Sequence, residues 1–517
     1  MRFNTSLLHG NFSGDERTGA TGAPIYQSTS FQHKTAEELE SIFKGNAPGY
    51  VYTRINNPTI DSFERRLAFL EGGVGAVACA SGMAAVALAI MNIVKQGEEI
   101  VAGSGIFGGT CSLFHDLEAY GIKARYVQDN DIETFDKAIN EKTRLLFVET
   151  IGNPKLDVPD LRALAELAHS KGIPLVVDNT VTTPYLVKPI KLGADLVVHS
   201  TSKYINGSGN SIGGVIIDSG KFKWDFDKFT SLKEFKKFGA FVYLAKLRNS
   251  LFRNLGPCIS PFNAYLNSIG LETLGLRMEK LCENAIQLAL SLKRNGKVLS
   301  VNYPGLRDNN YYRIAKEQFN DRYGAILTIR VGSKENAFKV INHLQYASNL
   351  ANIGDSRTLV IHTTKGVIVV TNNRELLSLL AEMTKASRCC QQDAILGGGI
   401  TFTQFYILDL IGKNGTLQLS DLHDLLSVEK STSTRLVEPL VQQGLVKKQR
   451  SEFDCRAINL VLTDSGRKIK EELWERLNSF LEKLSSQIPE DKHKEVYNSV
   501  RLFLTAIKNL LNDHKCC

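Results

Sequence analysis

Residues 194–205 read ADLVVHSTSKYI, an apolar run followed at once by hydroxyl side chains and a lysine. The run 196–198 predicts a buried β-strand, because it is short, rich in β-branched residues and bounded by polar ones. Three hydroxyls, on residues 200–202, then lead to Lys203. Such a loop could hold a phosphate while the amine forms an imine, although a surface lysine after a strand is also commonplace.

Strand-like and helix-like segments alternate around this loop, from about Ala76 to Ser219. EEIVAGS (98–104), TRLLFVET (143–150) and IPLVVDNT (173–180) are strand-like, and DLRALAELAHSKG (160–172) is an amphipathic helix. This alternation predicts an α/β fold with a parallel sheet between two layers of helices. Polar residues follow several of these strands, at the sheet edge where open α/β proteins bind ligands.

Other features near predicted strand ends have both a structural and a functional interpretation. Ser81 is a plausible cap, with Gly82 and Met83 opening a helix whose free N–H groups suit a phosphate, although ordinary helix starts look the same. Asp178 ends a buried strand, where a protonated pyridine nitrogen would keep it ionised, unless it is a cap or an ion pair. Asn153 follows another strand. Taken in order, these residues and Lys203 are hard to explain by packing alone.

Length and composition bound the remaining possibilities. A chain of 517 residues exceeds what one core usually organises, so at least two domains are expected. The net charge of +8 is too mild to indicate nucleic acid by itself. Nine scattered cysteines, four of them in two adjacent pairs, suit free thiols in a reducing compartment. No apolar run approaches the ~20 residues of a membrane span and no signal pattern opens the chain, so we expect a cytoplasmic protein.

The pattern changes twice in the second half of the chain. Residues 260–296 predict a long helical stretch, followed by strand-like GAILTIRV (324–331) and the helix KENAFKVINHL (334–344), a smaller α/β subdomain. From about Arg374 the pattern is helical almost throughout, with a strand-turn-strand patch from Leu445 to Leu462, which predicts a winged helix-turn-helix. We therefore predict domains at residues 1–370 and 374–517.

Two short helices of the second domain, Ser420–Leu426 and Ser431–Gln443, would form the helix-turn-helix. The start of the second helix is polar, as expected where a recognition helix meets base edges, and basic residues follow it; a solvated polar face is the alternative. The resulting candidates for DNA contact are Ser431, Thr432, Ser433, Arg435 and Lys447.

Five segments together resemble a known family. They are VYTRINNPT (51–59), VVDNT (176–180), HSTSKY (199–204), SPFNAYLNSIGLETLGLRME (260–279) and NLANIGDSRTLVIH (349–362). They resemble the Cys/Met-metabolism enzymes that depend on pyridoxal 5'-phosphate (PLP), specifically the O-acetylhomoserine sulfhydrylase type, over roughly residues 1–362. The resemblance implies a fold type I body like that of aspartate aminotransferase, with a smaller C-terminal α/β subdomain.

The resemblance also implies a site and a reaction. Lys203 would be the Schiff-base lysine and move protons, acetate would leave the γ-carbon of O-acetyl-L-homoserine, and sulfide or a thiol would add, giving homocysteine with sulfide. Tyr52, also a catalytic candidate, and Arg54 would come from a neighbouring subunit, so a homodimer or homotetramer is expected. The implied PLP-binding residues are Lys203, Asp178, Asn153, Ser81, Gly82, Met83, Phe107, Thr180, Ser200, Ser202, Tyr52 and Arg54.

Two departures from the family pattern put catalysis in doubt. Phe107 stands where the family usually has a tyrosine, so ring stacking is kept but the hydroxyl is lost. The arginine that binds the substrate carboxylate bidentately is not found; its position falls near Ile368, and Arg357 and Arg374 are fallback candidates.

Residues ~374–517 resemble the MarR family of winged-helix regulators, including the wing pattern Asp454-Cys455-Arg456 and the LTDSGRK that follows. The resemblance implies that Arg456 enters the minor groove of duplex DNA. It also implies that helices around residues 375–396 and 491–512 form a dimer interface.

Three interpretations of the whole chain follow. The first is an O-acetylhomoserine sulfhydrylase-like enzyme fused to a DNA-binding regulator. The second is a regulator whose degenerate PLP body serves as a sensor or dimerisation platform. The third is a frameshift near His362 that joins two neighbouring genes.

The cysteines of the C-terminal segment carry a separate hypothesis. No metal site is certain from the sequence, but two adjacent pairs lie in polar or terminal positions. They would suit a thiophilic ion or a redox disulfide, with buried apolar cysteines as the alternative. The candidate thiols are Cys389, Cys390, Cys516 and Cys517.

Overall fold

The structure is a computed structural model that describes residues 1–10, 14, 15, 18–362, 400–426, 430–450, 458–487, 489 and 490, and single positions 493, 496, 498, 500 and 501. The chain divides into two compact units, Met1–Ile368 and Val369–Cys517. The boundaries that we predicted at residues 370 and 374 lie outside the described residues and stay predictions. Among the described residues, no helix is both long enough and apolar enough to cross a membrane.

A seven-stranded sheet forms the centre of the first unit. Its strands are β1 Gly75–Cys79, β2 Glu99–Ala102, β3 Lys123–Tyr126, β4 Thr143–Glu149, β5 Leu175–Asp178, β6 Leu196–Ser200 and β7 Gly214–Asp218. Their order across the sheet is β1-β7-β6-β5-β4-β2-β3. The four segments that the sequence predicts as strands are confirmed as β2, β4, β5 and β6.

The sheet is mixed rather than wholly parallel, which corrects the prediction. Strands β2 to β6 pair in parallel, whereas β7 is antiparallel to both β6 and β1. Parallel neighbours need a crossover, usually a helix, and the segment 201–213 between β6 and β7 contains none. The chain therefore turns back through the loop that carries Lys203.

Helices cover both faces of this sheet and continue into the small subdomain. They are α1 Phe3–His9, α2 Ala36–Phe43, α3 Pro58–Glu71, α4 Gly82–Met91, α5 Gly108–Glu118, α6 Ile132–Ala138, α7 Leu161–Ser170, α8 Thr183–Leu186, α9 Val242–Leu247, α10 Arg253–Leu255, α11 Pro261–Glu272, α12 Leu274–Lys293, α13 Tyr312–Gln318 and α14 Lys334–Asn342. Segments of other pitch are a 3-10 helix at Pro189–Leu192, 3-10 turns over Thr230–Phe241 that are interrupted at Gly239, and a π-helix at Arg248–Phe252.

The long helix predicted over residues 260–296 is two helices, α11 and α12, which break at Thr273. The side chain of Arg277 donates to the Gly270 carbonyl at 2.6 Å, and also to the Tyr204 carbonyl at 2.6 Å. A helix carbonyl normally accepts from the N–H four residues later, so this side-chain donor replaces a helical bond at the break.

Alternation along the strands divides the core into two layers. Val197 of β6 packs in the layer that contains residues of α3, α7 and α11. Leu196 and Val198 pack in the opposite layer, with residues of α4, α5 and α9. Because successive strand side chains point to opposite faces, His199 lies on the face of Val197 and Ser200 on the face of Val198.

The small subdomain contains two separate strand pairs. Strand β8 (Ser300–Asn302) pairs antiparallel with β9 (Thr328–Arg330), and β10 (Ser348–Asn349) pairs in parallel with β11 (Leu359–Val360). Of the strand predicted at residues 324–331, only the last part is a strand in the structure. The predicted helix at residues 334–344 is confirmed as α14.

The second unit is a helix-turn-helix with a wing, as predicted. Its helices are α15 Phe402–Asn414, α16 Leu419–Leu426, α17 Lys430–Gln442 and α18 Asp464–Ser486, and its strands are β12 Leu417–Gln418, β13 Val446–Arg450 and β14 Ile458–Leu462. The three strands form an antiparallel sheet in the order β12-β14-β13. The helices predicted at residues 375–396 and 491–512 fall outside the described residues, apart from single positions of the second.

Candidate active site

The carboxyl ends of β5 and β6 bring three of the predicted site residues together. Asp178 is the last residue of β5 and Ser200 the last of β6. Thr180 connects them, because its hydroxyl accepts the N–H of Ser200 at 2.8 Å and its own N–H donates to Asp178 Oδ1 at 2.9 Å. The hydroxyl loop and the carboxylate therefore belong to one hydrogen-bonded edge.

The N-terminus of α4 lies against the same edge. Ser81 caps this helix by accepting the N–H of Ala84 at 3.1 Å, as the sequence predicts. A Cβ on Gly82 would lie only 2.6 Å from the Cβ of Ser200, so a glycine is needed for this close approach. The first N–H groups of a helix have no partner within it, and together with the helix dipole they favour an anion such as a phosphate.

Lys203 is half-buried in the loop after β6. Its Nζ donates to Asn352 Oδ1 at 2.6 Å. Burial lowers the pKa of the Lys203 ammonium, which raises the fraction of reactive amine. Asn352 is a functional candidate that our reading of the sequence missed: its motif was quoted, but Asn352 lies 149 positions from the lysine and no local signal joins the two.

Two carboxyl groups, one buried and one half-buried, lie side by side at the ends of β4 and β5. Burial raises the pKa of Asp178, while hydrogen bonds from Thr180 and the charge of His199 lower it. Burial and the charge of Asp178 raise the pKa of Glu149 well above its ordinary value. A cation beside Asp178 would keep its carboxylate ionised, as the protonated ring nitrogen of a pyridine would.

Glu149 also holds the loop of Phe107. The N–H of Phe107 donates to Glu149 Oε1 at 2.6 Å, and Phe107 is the residue from which α5 starts. Phe107 is exposed, at 48%, and has no hydroxyl. The stacking that we predicted for its ring stays a prediction.

Other predicted ligands are partly engaged within the protein. Ser202 Oγ accepts the Gly213 N–H at 2.9 Å and lies 3.2 Å from the Gly213 carbonyl, to which it donates. The N–H of Asn153 donates to the Gly105 carbonyl at 3.1 Å. These bonds fix the backbone at the two positions, and the phosphate and ring contacts predicted for them stay predictions.

Tyr52 and Arg54 are both exposed and contact each other. The guanidinium carbon of Arg54 lies 5.3 Å from the centroid of the Tyr52 ring, and Arg54 also donates to the Arg253 carbonyl. That Tyr52 and Arg54 bind PLP from a neighbouring subunit stays a prediction.

One fallback arginine for a substrate carboxylate, Arg357, is already paired within the protein. Arg357 forms a bidentate pair with Asp355, through Nε at 2.9 Å and Nη2 at 2.8 Å. This pairing lowers the pKa of Asp355 and raises that of Arg357, so both side chains are held in their charged forms. Arg374 and Ile368 lie outside the described residues.

The polar face predicted for the recognition helix α17 is only partly exposed. Arg435 and Lys447 are exposed and Thr432 is half-buried. Ser433 is 1% exposed, so the prediction that it reads bases is wrong in this arrangement: it faces the core of the unit. The side chain of Ser431, and the whole of Arg456, lie outside the described residues.

The thiol hypothesis cannot be placed on the described structure. Cys389, Cys390, Cys516 and Cys517 all lie outside the described residues, as does Cys455. In the part of the chain that is described, no group of three or more His, Cys, Asp or Glu side chains could hold a metal ion.

Family comparisons agree with this geometry. Residues 4–379 match the family of Cys/Met metabolism PLP-dependent enzymes, and residues 398–457 match the MarR family. The chain is 44% identical over 380 residues to the O-acetyl-L-homoserine sulfhydrylase of Leptospira meyeri, covering 69% of this chain and 86% of that protein. It is 40% identical over 386 residues to the homocysteine/cysteine synthase of Saccharomyces cerevisiae, covering 69% and 87%.

Solved structures show the same fold. One is a Campylobacter jejuni protein assigned as an O-acetylhomoserine (thiol)-lyase, solved with pyridoxyl-lysine phosphate, with a TM-score of 0.66, 32% identity and coverage of 70% of this chain and 91% of that one. Another is the cystathionine gamma-lyase of Lactobacillus plantarum complexed with L-serine, with a TM-score of 0.63, 30% identity and coverage of 73% and 91%. The fold type I architecture of the first unit is thereby confirmed.

Proposed function

Because the chain belongs to the family of Cys/Met metabolism PLP-dependent enzymes, we propose that its first unit replaces the acetate of O-acetyl-L-homoserine by sulfide, giving homocysteine. The observation that carries this proposal is the half-buried amine of Lys203, held by Asn352 beside the edge formed by Asp178 and Ser200. The relatives named above are a sulfhydrylase of O-acetyl-L-homoserine and a homocysteine/cysteine synthase, which supports this proposal.

The residues of this edge fit PLP. The start of α4 at Gly82 packs closely against Ser200, and the free N–H groups of a helix start suit a phosphate. We call Gly82 and Ser200 the phosphate cup. Asp178 is a half-buried carboxyl whose pKa is raised by burial, and a protonated pyridine nitrogen would stabilise its ionised form. Lys203 would hold the aldehyde carbon. When bound, PLP withdraws electrons from the α-carbon of the substrate and so makes its proton removable.

Proton transfer then falls to the protein's own groups. Lys203 Nζ, with its lowered pKa, would take the proton from the α-carbon and move protons at the β-carbon. Asn352 orients this amine through their hydrogen bond. Phe107 would cover the ring and exclude water but has no hydroxyl to share the proton transfer.

Turnover should be weak, since the sequence has no arginine at the family's carboxylate-binding position near Ile368, and the fallback Arg357 is paired with Asp355. Loss of a bidentate clamp removes affinity and orientation, an effect on the order of 2–5 kcal/mol, or roughly tens- to thousands-fold in rate.

We propose that the second unit binds duplex DNA through α17 and β13. Exposed Arg435 and Lys447 supply positive charge on the recognition helix and the adjoining strand. The MarR match over residues 398–457 supports this role. We also propose that the protein is a homodimer or homotetramer and lies in the cytoplasm.

The second candidate function is a regulator whose PLP body has become a sensor. Phe107 and the missing carboxylate-binding arginine favour it, because both would weaken catalysis while the cofactor-binding edge is kept. The third interpretation, that a frameshift near His362 joins two neighbouring genes, can be tested by resequencing the locus.

The deciding experiment measures homocysteine formed from O-acetyl-L-homoserine and sulfide by the full-length protein. We expect a slow rate that is lost in Lys203→Ala and kept in the surface control Lys280→Ala. A wild type that binds PLP but forms no homocysteine above the Lys203→Ala background would refute the enzyme and support the sensor.

A further inference from the structure

A histidine–carboxylate pair is buried on the face of the sheet opposite the candidate cofactor site. His199 Nε2 lies 2.6 Å from Glu71 Oε1, and both side chains are 0% exposed. His199 belongs to β6 and Glu71 is the last residue of α3. Burying two ionisable groups is costly unless they are paired, and an apolar pair of similar volume is often at least as stable. Stability alone therefore does not account for the pair.

Glu71 connects two strands rather than one. Asn179 Nδ2 donates to the same Glu71 oxygen at 2.7 Å, and Asn179 is also 0% exposed. Asn179 follows the end of β5, whereas His199 is on β6. One carboxylate oxygen thus holds the carboxyl ends of two neighbouring strands.

These strand ends are the ones that carry the site. Asn179 directly follows Asp178, and His199 directly precedes Ser200. Neighbouring residues along an extended chain point to opposite faces of a sheet. Glu71 therefore binds Asn179 and His199 on the face opposite to the one on which the site residues lie. A change in this bond would shift Asp178 relative to Ser200.

The pair is also incompletely satisfied by the protein. Among the residues that the structure describes, Glu71 Oε2 and His199 Nδ1 are buried without a hydrogen-bond partner. A pair selected for stability alone would have these atoms bonded or replaced, since a buried unbonded polar atom is costly. The carboxylate is instead used to join Asn179 and His199.

We infer that Glu71 and His199 are positioning residues for PLP, which set the spacing between Asp178 and the Ser200 loop from the opposite face of the sheet. This inference rests on the proposed PLP site and extends it to two residues that do not touch the cofactor.

The same two strands offer a matched control at their other ends. His169 Nε2 lies 2.9 Å from Asp195 Oδ2, and this oxygen also accepts the N–H of Leu175, the first residue of β5. This is again a histidine–carboxylate pair that joins β5 to β6, but it lies at the amino ends, away from the site. A merely structural effect on the strands should appear equally in both pairs.

The experiment titrates PLP into the full-length apo-protein and follows visible absorbance, with thermal unfolding of the apo-protein measured in parallel. Glu71→Gln and His199→Gln should each weaken PLP binding about ten- to a hundredfold, the range seen when outer-shell partners of a bound group are removed. His169→Gln should lower the unfolding temperature but leave PLP affinity within about twofold of wild type, since it removes a hydrogen-bond partner of the buried Asp195 carboxylate at the opposite ends of the strands.

The double variant Glu71→Gln/His199→Gln leaves no lone buried charge and carries the test if a single variant fails to fold. Wild-type PLP affinity in the folded double or single variants would overturn the inference, as would equal losses of affinity in His169→Gln. A wild type that does not bind PLP at all would instead overturn the proposed function.

Discussion

Replacing Gly82 by alanine tests the close approach on which the phosphate cup depends. The added Cβ would lie 2.6 Å from Ser200 Cβ and 2.9 Å from Ser200 Cα, so the helix and the loop must separate. Restoring an ordinary contact of about 3.4 Å requires roughly 0.8 Å of movement, which would stretch a charged N–H···O bond of about 2.8 Å beyond hydrogen-bonding range. Losing such a bond costs about 1.5–3 kcal/mol, or roughly ten- to 150-fold in PLP affinity.

The assay is titration of apo-protein with PLP, followed by absorbance, with denaturant unfolding to measure stability. Overpacking should also lower the free energy of unfolding by about 1–3 kcal/mol. Gly296→Ala is the matched control, because a Cβ there meets nothing within 4 Å, and it should change neither quantity. A folded Gly82→Ala protein with PLP affinity within about twofold of wild type would refute the proposed cup.

Three further predictions concern the ring contact, a buried carboxyl and the DNA surface. Phe107→Tyr should keep PLP affinity and raise kcat/KM for homocysteine formation about tenfold or more, since a hydroxyl can share proton transfer; an unchanged rate would contradict this. Burial raises the pKa of Asp218 to about 7, so the contribution of this carboxyl group to the free energy of unfolding falls as the pH rises from about 4 to about 7. At pH 8, Asp218→Asn should therefore have a free energy of unfolding higher than that of wild type by on the order of 4 kcal/mol. At pH 5 the difference should be smaller. An equal difference at both pH values would contradict the raised pKa of Asp218. Lys447→Ala should weaken duplex DNA binding equally across sequences and reduce the salt slope by about one, whereas Gln449→Ala should not; equal slopes would exclude a phosphate contact at Lys447.

Much of the first unit could be predicted because its buried strands are short, β-branched and bounded by polar residues. The runs that became β4, β5 and β6 are identified by composition alone. The antiparallel β7 could not be predicted in this way, because Gly214–Asp218 has the same apolar composition as its parallel neighbours. Its direction depends on how the loop after β6 turns back, which is a tertiary property.

The candidate site shows the same division between local and distant information. Ser81, Asp178 and Lys203 carry local signals, because each stands at the end of a strand or the start of a helix. Asn352 and Glu71 do not, since each reaches the edge across more than a hundred positions of sequence. Ser433 shows the reverse error: the polarity of its segment suggests an exposed face, but the helix turns this hydroxyl into the core.

The central claim is that Lys203 is the amine that holds PLP. The most direct measurement treats the full-length protein with PLP and borohydride, which fixes the cofactor on the amine that carries it, and locates the pyridoxyl mass by peptide mass spectrometry. We expect the label on the peptide that contains Lys203, in wild type and in Lys155→Ala, and its loss in Lys203→Ala. A pyridoxyl label on other lysines with none on Lys203, or equal labelling in Lys203→Ala, would contradict the account.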